Sequence, residues 1–347
     1  MLVLWSHPPA TPPALVGILS DRLGPTGVDL FFVLSGFLIG SLLFDEISTS
    51  GSLDVKRFWI RRFLKIIPPY MFLVLVGTLL NVARNTHAPL DGLYAMWPNF
   101  VHIQNYVRGD RPLGQTWSLA VEEHFYLALP CVLVVMDIRN KVWSGFPTVA
   151  IGVILVSFLS RLFLISVPYS PQTHIFATHI RVDNLILGVL LAWLAKTNHP
   201  LLDTLSKNWK VTLSVGFICV GTPCMFDRSH PFVFTLGYLL FAIGYALIVT
   251  LGYKCTVDVN PSNLSLIQKI SIQVGRCSYS IYLWMAILAG RPLEYLADRV
   301  HIDSGVEYWL FLVVYFAWAS IVGIVMHHIV EIPVNSYRNR IFPRATV

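Results

Sequence analysis

The chain of 347 residues is 55% hydrophobic and only 13% charged, with a mean hydropathy of +0.64. A soluble domain carries about 25% charged residues, so the composition excludes an ordinary soluble globule. It points to an all-α fold, a polytopic integral membrane bundle of about nine to ten transmembrane helices in the lipid bilayer. The net charge of +6 requires no nucleic-acid partner, because basic cytoplasmic loops account for it. No Lys/Arg-rich run interleaved with aromatics occurs. The five cysteines, at 131, 219, 224, 255 and 277, form no C-x-x-C pair, and they read as small buried hydrophobes rather than as a disulfide or metal framework.

In chain order, residues 1–7 are a fragment of apolar helix, too short for a cleavable signal peptide and ended by Pro8, Pro9, Pro12 and Pro13. A span follows from Gly27 to Phe44, with Asp29 near its start. A loop carrying Lys56, Arg57, Arg61, Arg62 and Lys65 leads to another span ending near Ala83. The polar-aromatic segment 84–115 precedes a long apolar helix that begins at Thr116 and holds Glu122, Glu123 and His124. Further spans are expected near 146–166, 177–195, 211–226, 232–252, 278–296 and 307–331, each of about 20 apolar residues. Lys and Arg concentrate in the stretches 45–65, 137–145, 196–210, 253–276 and the tail. The segment 84–115 has Arg84, Arg108 and Arg111, partly offset by Asp91 and Asp110. The positive-inside rule then puts the C-terminus in the cytoplasm. The domain reading is one transmembrane unit over 1–335 and a short basic cytoplasmic tail over 336–347.

A carboxylate in mid-bilayer costs about 2.5–3.5 kcal/mol on insertion scales. Glu122 and Glu123 therefore face a cavity or a partner, not lipid. On a helix Glu122 shares a face with Ser118, Phe125 and Tyr126. Asp29, the two glutamates, Arg181 and Asp183 fall toward the outer halves of spans running in the same direction, and His7 lies at a comparable level. Arg181 and Asp183 are two apart and point to different faces, so they cannot neutralise each other. Arg161 is a further buried cation, expected either to pair with a glutamate or to serve the pocket. Ser35, Trp117 and Ser118 complete the expected pocket, together with Asp29, Arg161, Arg181 and Asp183. The histidines show no ligand spacing, and no metal is expected.

A set of motifs occurs in register. They are Gly27-Val-Asp-Leu-Phe-Phe-Val-Leu-Ser-Gly-Phe-Leu-Ile39, Arg61-Arg62 ahead of Ile67-Pro-Pro-Tyr70, Thr116-Trp-Ser-Leu-Ala-Val-Glu-Glu-His-Phe-Tyr126, Arg181-Val-Asp183, Ser278-Tyr-Ser-Ile-Tyr-Leu-Trp284 and Glu331-Ile-Pro333. Together they closely resemble the acyltransferase family 3 membrane proteins, over nearly the whole chain. These are bacterial O-acyltransferases of surface polysaccharides, peptidoglycan, exported glycans or small glycosylated natural products. The resemblance implies a bundle of about ten helices in the bacterial plasma membrane. It would transfer an acyl group, usually acetyl from acetyl-CoA, to a hydroxyl of a carbohydrate or glycosylated acceptor, with acyl-CoA as substrate and no bound cofactor.

His7 matches the family's histidine at the end of its first helix. The family's Arg-x-x-Arg donor pair reads Arg62-x-x-Lys65 here, so lysine keeps the charge but loses bidentate phosphate binding. Met285 stands where a histidine is frequent. The family arginine upstream of the histidine would lie before Met1. A helix of seven residues rises about 10 Å against a hydrocarbon core of about 30 Å. The sequence therefore raises the expectation that the reading frame continues upstream of Met1, or that the chain is a shortened member.

The chemistry fits the residues. A hydroxyl acceptor needs a base as it attacks a thioester, and histidine titrates in the right range. His7 is the candidate base, with Glu122 or Glu123 fixing its tautomer; an acyl-histidine intermediate is the other option. Arg61, Arg62 and Lys65 are candidates for the donor phosphates. Tyr94, Trp97, Asn105 and Tyr106 suggest a platform for a sugar. Two other readings stay open: a transporter or flippase using the same groups as a proton relay, and a catalytically inactive family member.

Overall fold

The computed structural model describes residues 1–7, 10, 12–84, 89–107, 113–257, 265–300 and 305–342. Pro8, Pro9, Arg108, Asp110, Arg111 and the end of the basic tail lie outside the described residues, as does the side chain of Arg84. Among the described residues the chain is helical without a strand. The helices are α1 (Leu2–Trp5), α2 (Ala14–Leu23), α3 (Gly27–Ser50), α4 (Val55–Arg84), α5 (Pro89–Tyr94), α6 (Trp97–Phe100), α7 (Trp117–Ile138), α8 (Val142–Leu164), α9 (Val182–Lys196), α10 (Pro200–Lys207), α11 (Trp209–Gly221), α12 (Tyr238–Val257), α13 (Leu266–Arg276), α14 (Ser278–Trp284), α15 (Arg291–Val300), α16 (Val306–Met326) and α17 (Ile332–Ile341).

Six described stretches are long and apolar enough to cross a bilayer: Val16–Ser50, Val55–Ala83, Gly114–Ile138, Val142–Leu164, Val233–Cys255 and Val306–Ile341. α9 and α10 form a seventh if they count as one span bent by 99°. The chain is thus a multi-pass, all-α membrane protein, with a lower count than the nine to ten expected from hydropathy. The differences have local causes. The apolar stretch near 211–226 ends in a tight turn at Pro223. The stretch 278–296 is interrupted by a π-turn over Met285–Gly290 and continues as α15, which carries Arg291, Glu294 and Arg299.

The basic stretch 56–65 is not a loop. The Asp54 carboxylate accepts the Arg57 backbone N–H at 2.9 Å, satisfying an end donor, and the cations occupy the first turns of α4. That helix runs through Pro68 and Pro69. Membrane helices tolerate prolines, and the Tyr279 hydroxyl ties this part of α4 to α14 by donating to the Ile66 carbonyl at 2.8 Å. All five cysteines are free, but their burial departs from expectation: Cys131 and Cys255 are exposed, and only Cys277 is buried.

α3 and α9 form the centre of the bundle. Their backbones meet at Gly36 and Gly188, where an added Cβ would overlap the carbonyls of Leu185 and Val33 respectively. Around this crossing Phe32, Leu43, Val121, Leu185, Val189 and Phe241 make one core. Leu4 of α1 joins a second core with residues of α14 and α16, which anchors the first residues. At Gly24 an added Cβ would fall 2.8 Å from the Ser6 nitrogen, so the segment ending in His7 rests on the turn before α3.

Candidate active site

A cavity of about 950 Å³ opens among the N-terminal ends of α3, α7 and α12, and His7, Asp29, Trp117, Phe176, Arg181 and Tyr238 are on its wall. The resting place of His7 decides its proton inventory. The Ser6 hydroxyl donates to the Val3 carbonyl at 2.8 Å, and His7 Nδ1 lies 2.8 Å from Ser6 Oγ and 3.1 Å from the Val3 oxygen. Both neighbours therefore accept from Nδ1–H. That tautomer leaves the lone pair on Nε2, the nitrogen free to take a proton.

Behind the wall, the charges expected from the Arg-Val-Asp motif separate as helical spacing demands. Arg181 donates to Asp29 at 2.8 Å, and Asn184 donates to the same carboxylate oxygen at 2.5 Å. The Arg181 guanidinium also stacks 4.1 Å over the Tyr238 ring. Asp183 takes the other direction and meets Arg161 at 2.6 Å, both fully buried. Of the two expectations for Arg161, a glutamate partner or a place in the pocket, the first is corrected: it pairs with an aspartate, and it also donates to the Ile180 carbonyl at 2.9 Å. Removing one charge of a buried pair leaves the other uncompensated, at about 3–5 kcal/mol. Asp183→Asn should lower the thermal midpoint in detergent severely, while the apolar double variant Arg161→Met/Asp183→Leu should recover much of the loss. A midpoint for Asp183→Asn equal to wild type would mean the pair contributes nothing.

The glutamates are elsewhere. Trp117 is on the cavity wall and starts α7, so Glu122 lies about 7.5 Å further along the helix axis, and neither Glu122 nor Glu123 is on the wall. Glu122 accepts from the Tyr126 hydroxyl at 2.6 Å, and Tyr126 also bonds Ser35. The Arg62 guanidinium sits 4.1 Å over the Tyr126 ring, within electrostatic range of both glutamates. Lys65 belongs to the same group, near Arg62, Glu122 and Glu331. Arg61 is directed away, donating to the Phe342 carbonyl. Ser118 bonds the Tyr282 hydroxyl at 2.6 Å, and Tyr282 is on the cavity wall. The structure therefore brings His7, Asp29, Trp117 and Arg181 to one cavity, and Ser35, Arg62, Lys65 and Glu122 to a second cluster. No described contact joins His7 to either glutamate.

The imagined aromatic platform is not continuous. Tyr94, Trp97 and Tyr106 are exposed, but Asn105 is buried and donates to Thr178 Oγ1 at 2.9 Å. Nearby, His102 adopts a left-handed φ of 57°. Burial pushes its imidazole down to about 4, with His124 adding to the effect, so it is neutral at physiological pH. The residues that sequence reasoning gave no role are Asn184, Tyr238, Tyr282, Gln104 and Gln115. Asn184 adjoins a charged motif, which is a usable signal; the two glutamines carry none.

These features define a multi-pass helical membrane protein with a polar cavity inside the bundle. The chain belongs to an acyltransferase family: the family model described as acyltransferase domain matches residues 1–328. A Staphylococcus aureus strain COL protein designated a candidate O-acetyltransferase is 31% identical over 320 residues, covering 82% of this chain and 50% of its own length. The O-acetyltransferase OatA of the same strain is 28% identical over 297 residues, covering 78% of this chain and 48% of its own. The chain spans about half the length of the curated relatives it matches. No solved structure gives a match.

Proposed function

We propose that this chain is a membrane-bound O-acyltransferase that moves an acyl group, acetyl from acetyl-CoA, to a hydroxyl of a carbohydrate or glycosylated acceptor. The observation that carries the reading is a histidine on the wall of a polar cavity, in a chain of an acyltransferase family. In the step, the acceptor oxygen bonds to the thioester carbonyl carbon while His7 Nε2 takes its proton. The C–S bond then breaks, and the departing sulfur receives that proton from the imidazolium. No bound cofactor or metal enters this scheme. Arg62 and Lys65 supply positive charge for the donor's phosphates. Asp29, Arg161, Arg181 and Asp183 brace the cavity.

Purified protein supplied with acetyl-CoA and a glycan acceptor should release CoA thiol; release that never depends on acceptor, together with solute movement across vesicles, would favour a transporter instead. In the same assay, Glu122→Gln should lower turnover about ten-fold or more by removing the charge opposite Arg62. Wild-type turnover in folded Glu122→Gln and Glu123→Gln proteins would make both glutamates purely structural.

The proposed orientation is multi-pass in the bacterial plasma membrane, with the first turns of α4 and the basic tail on the cytoplasmic side. Single cysteines at the exposed positions Ser52 and Asn339, in a cysteine-free background, should be shielded from an impermeant thiol reagent in intact cells. One at Tyr94, which is 74% exposed, should react. Labelling of position 52 from outside would invert the orientation.

A further inference from the structure

A second hollow, of about 420 Å³, lies between the start of α4 and the end of α17, with Trp59, Ile60, Phe63, Tyr337, Ile341 and Phe342 on its wall. It opens to the outside of the bundle, where Phe63 is 56% and Tyr337 61% exposed. Both helices belong to stretches long and apolar enough to cross a bilayer, Val55–Ala83 and Val306–Ile341. The 29 residues of the first rise about 43 Å, more than the hydrocarbon core of about 30 Å, so its end turns stand in the headgroup layer. Trp59 is about one turn from its start. Aromatic side chains gather at that depth because an apolar ring with a polar edge suits the boundary. The Trp59 indole is held in place, since Nε1 donates to the Tyr126 carbonyl at 3.2 Å.

The rim of this apolar groove is basic. Arg61 donates to the carbonyl of Phe342, which places its guanidinium at the edge and holds the end of α17 against α4. Lys56 is exposed one turn ahead of Trp59 and Ile60, on their helix face. Arg340 is exposed one turn beyond Tyr337, on that residue's face. Arg57 and Arg338 stand in the same end turns. The acids adjoining these turns are Asp54 and Glu46, and both are turned to main chain. Asp54 accepts the Arg57 N–H at 2.9 Å, and Glu46 accepts the Asp54 N–H at 3.0 Å. The balance is positive. A zwitterionic lipid gains little from such a rim, and a small soluble anion gains nothing from the apolar wall. A phospholipid with a net negative headgroup uses both.

We infer that the groove between α4 and α17 is a binding site for an anionic phospholipid, one acyl chain against Trp59, Phe63 and Tyr337 and the phosphate among Arg61, Lys56 and Arg340. The inference stands apart from the acyl-transfer reading above. Each cation near an anionic headgroup contributes about five-fold in affinity. The lipid would also touch the link between α4 and the glutamate cluster, because Trp59 bonds Tyr126 and the Tyr126 hydroxyl serves Glu122.

The test uses the full chain in phosphatidylcholine nanodiscs doped with equal, small fractions of lipid brominated on its acyl chains, either phosphatidylglycerol or phosphatidylcholine. Bromine quenches tryptophan fluorescence on contact. Wild type should be quenched more by brominated phosphatidylglycerol, and Trp59→Phe should lose that excess while the other tryptophans still report. The double variant Lys56→Gln/Arg340→Gln keeps Trp59 and changes only exposed positions, so it should fold as wild type by size exclusion. Its half-saturating fraction of phosphatidylglycerol should rise about ten-fold or more. Equal quenching of wild type by the two brominated lipids, or an unchanged preference in the folded double variant, overturns the inference. So does an excess that survives in Trp59→Phe. Relief of the quenching by soluble acetyl-CoA would also overturn it, because the groove would then belong to the nucleotide end of a donor.

Discussion

Replacing His7 by alanine should abolish acyl transfer while the amount of protein in the membrane stays near wild type. The expectation has two parts. General base catalysis is worth about 10²–10⁴-fold in rate, and Nε2 of His7 is the nitrogen left basic by the contacts that Ser6 and Val3 make at Nδ1. The side chain is also exposed to the cavity, so its removal takes little packing away. Anchorage of this segment comes from Leu4 and from the contact between Ser6 and Gly24, and neither changes in the variant. The measurement is CoA-thiol release alongside quantitative immunoblotting of membranes. Retained turnover would remove His7 from the mechanism. A second variant, Ser6→Ala, separates base from tautomer: Nδ1–H still has the Val3 carbonyl at 3.1 Å, so a modest decline is expected rather than a loss.

The largest expected effect on stability lies at the crossing of α3 and α9. Gly36→Val should prevent accumulation of folded protein, and Gly188→Ala should do so nearly as severely. Overpacking typically costs about 1–3 kcal/mol, occasionally more. Here the obstruction is main chain on both sides, which cannot rotate away as a side chain would. Small residues at such crossings are what allow close helix approach in a membrane, where there is no apolar solvent gain to drive association. The consequence reaches the site. α3 carries Asp29 and α9 follows directly from Arg181, so pushing the helices apart stretches the 2.8 Å pair that braces the cavity. Gly152→Ala on α8 is the control, since an added Cβ there meets nothing within 4 Å. Fluorescence-detected size exclusion of the three variants would report the difference. A Gly36→Val protein that elutes and melts as wild type would show that the helices slide apart without cost.

The sequence by itself determined whatever depends on composition and on spacing along one helix. Low charge and long apolar runs were enough for an all-α membrane bundle, because a bilayer admits only structures that satisfy their own backbone hydrogen bonds. The four-residue spacing of Glu122 and Tyr126 puts them on one face, and their side chains do meet. The two-residue spacing of Arg181 and Asp183 sends them to different partners, as they are found.

Tertiary structure alone decided the pairings between helices, because depth and rotation about each axis are set by packing elsewhere. Arg161 finds Asp183 only because α8 lies against α9. Glu122 joins Arg62 rather than His7 because α7 begins at Trp117, and its axial rise then carries the carboxylate past the cavity. The basic residues 56–65 became helical turns once Asp54 capped α4, a choice that charge counting along the chain cannot make.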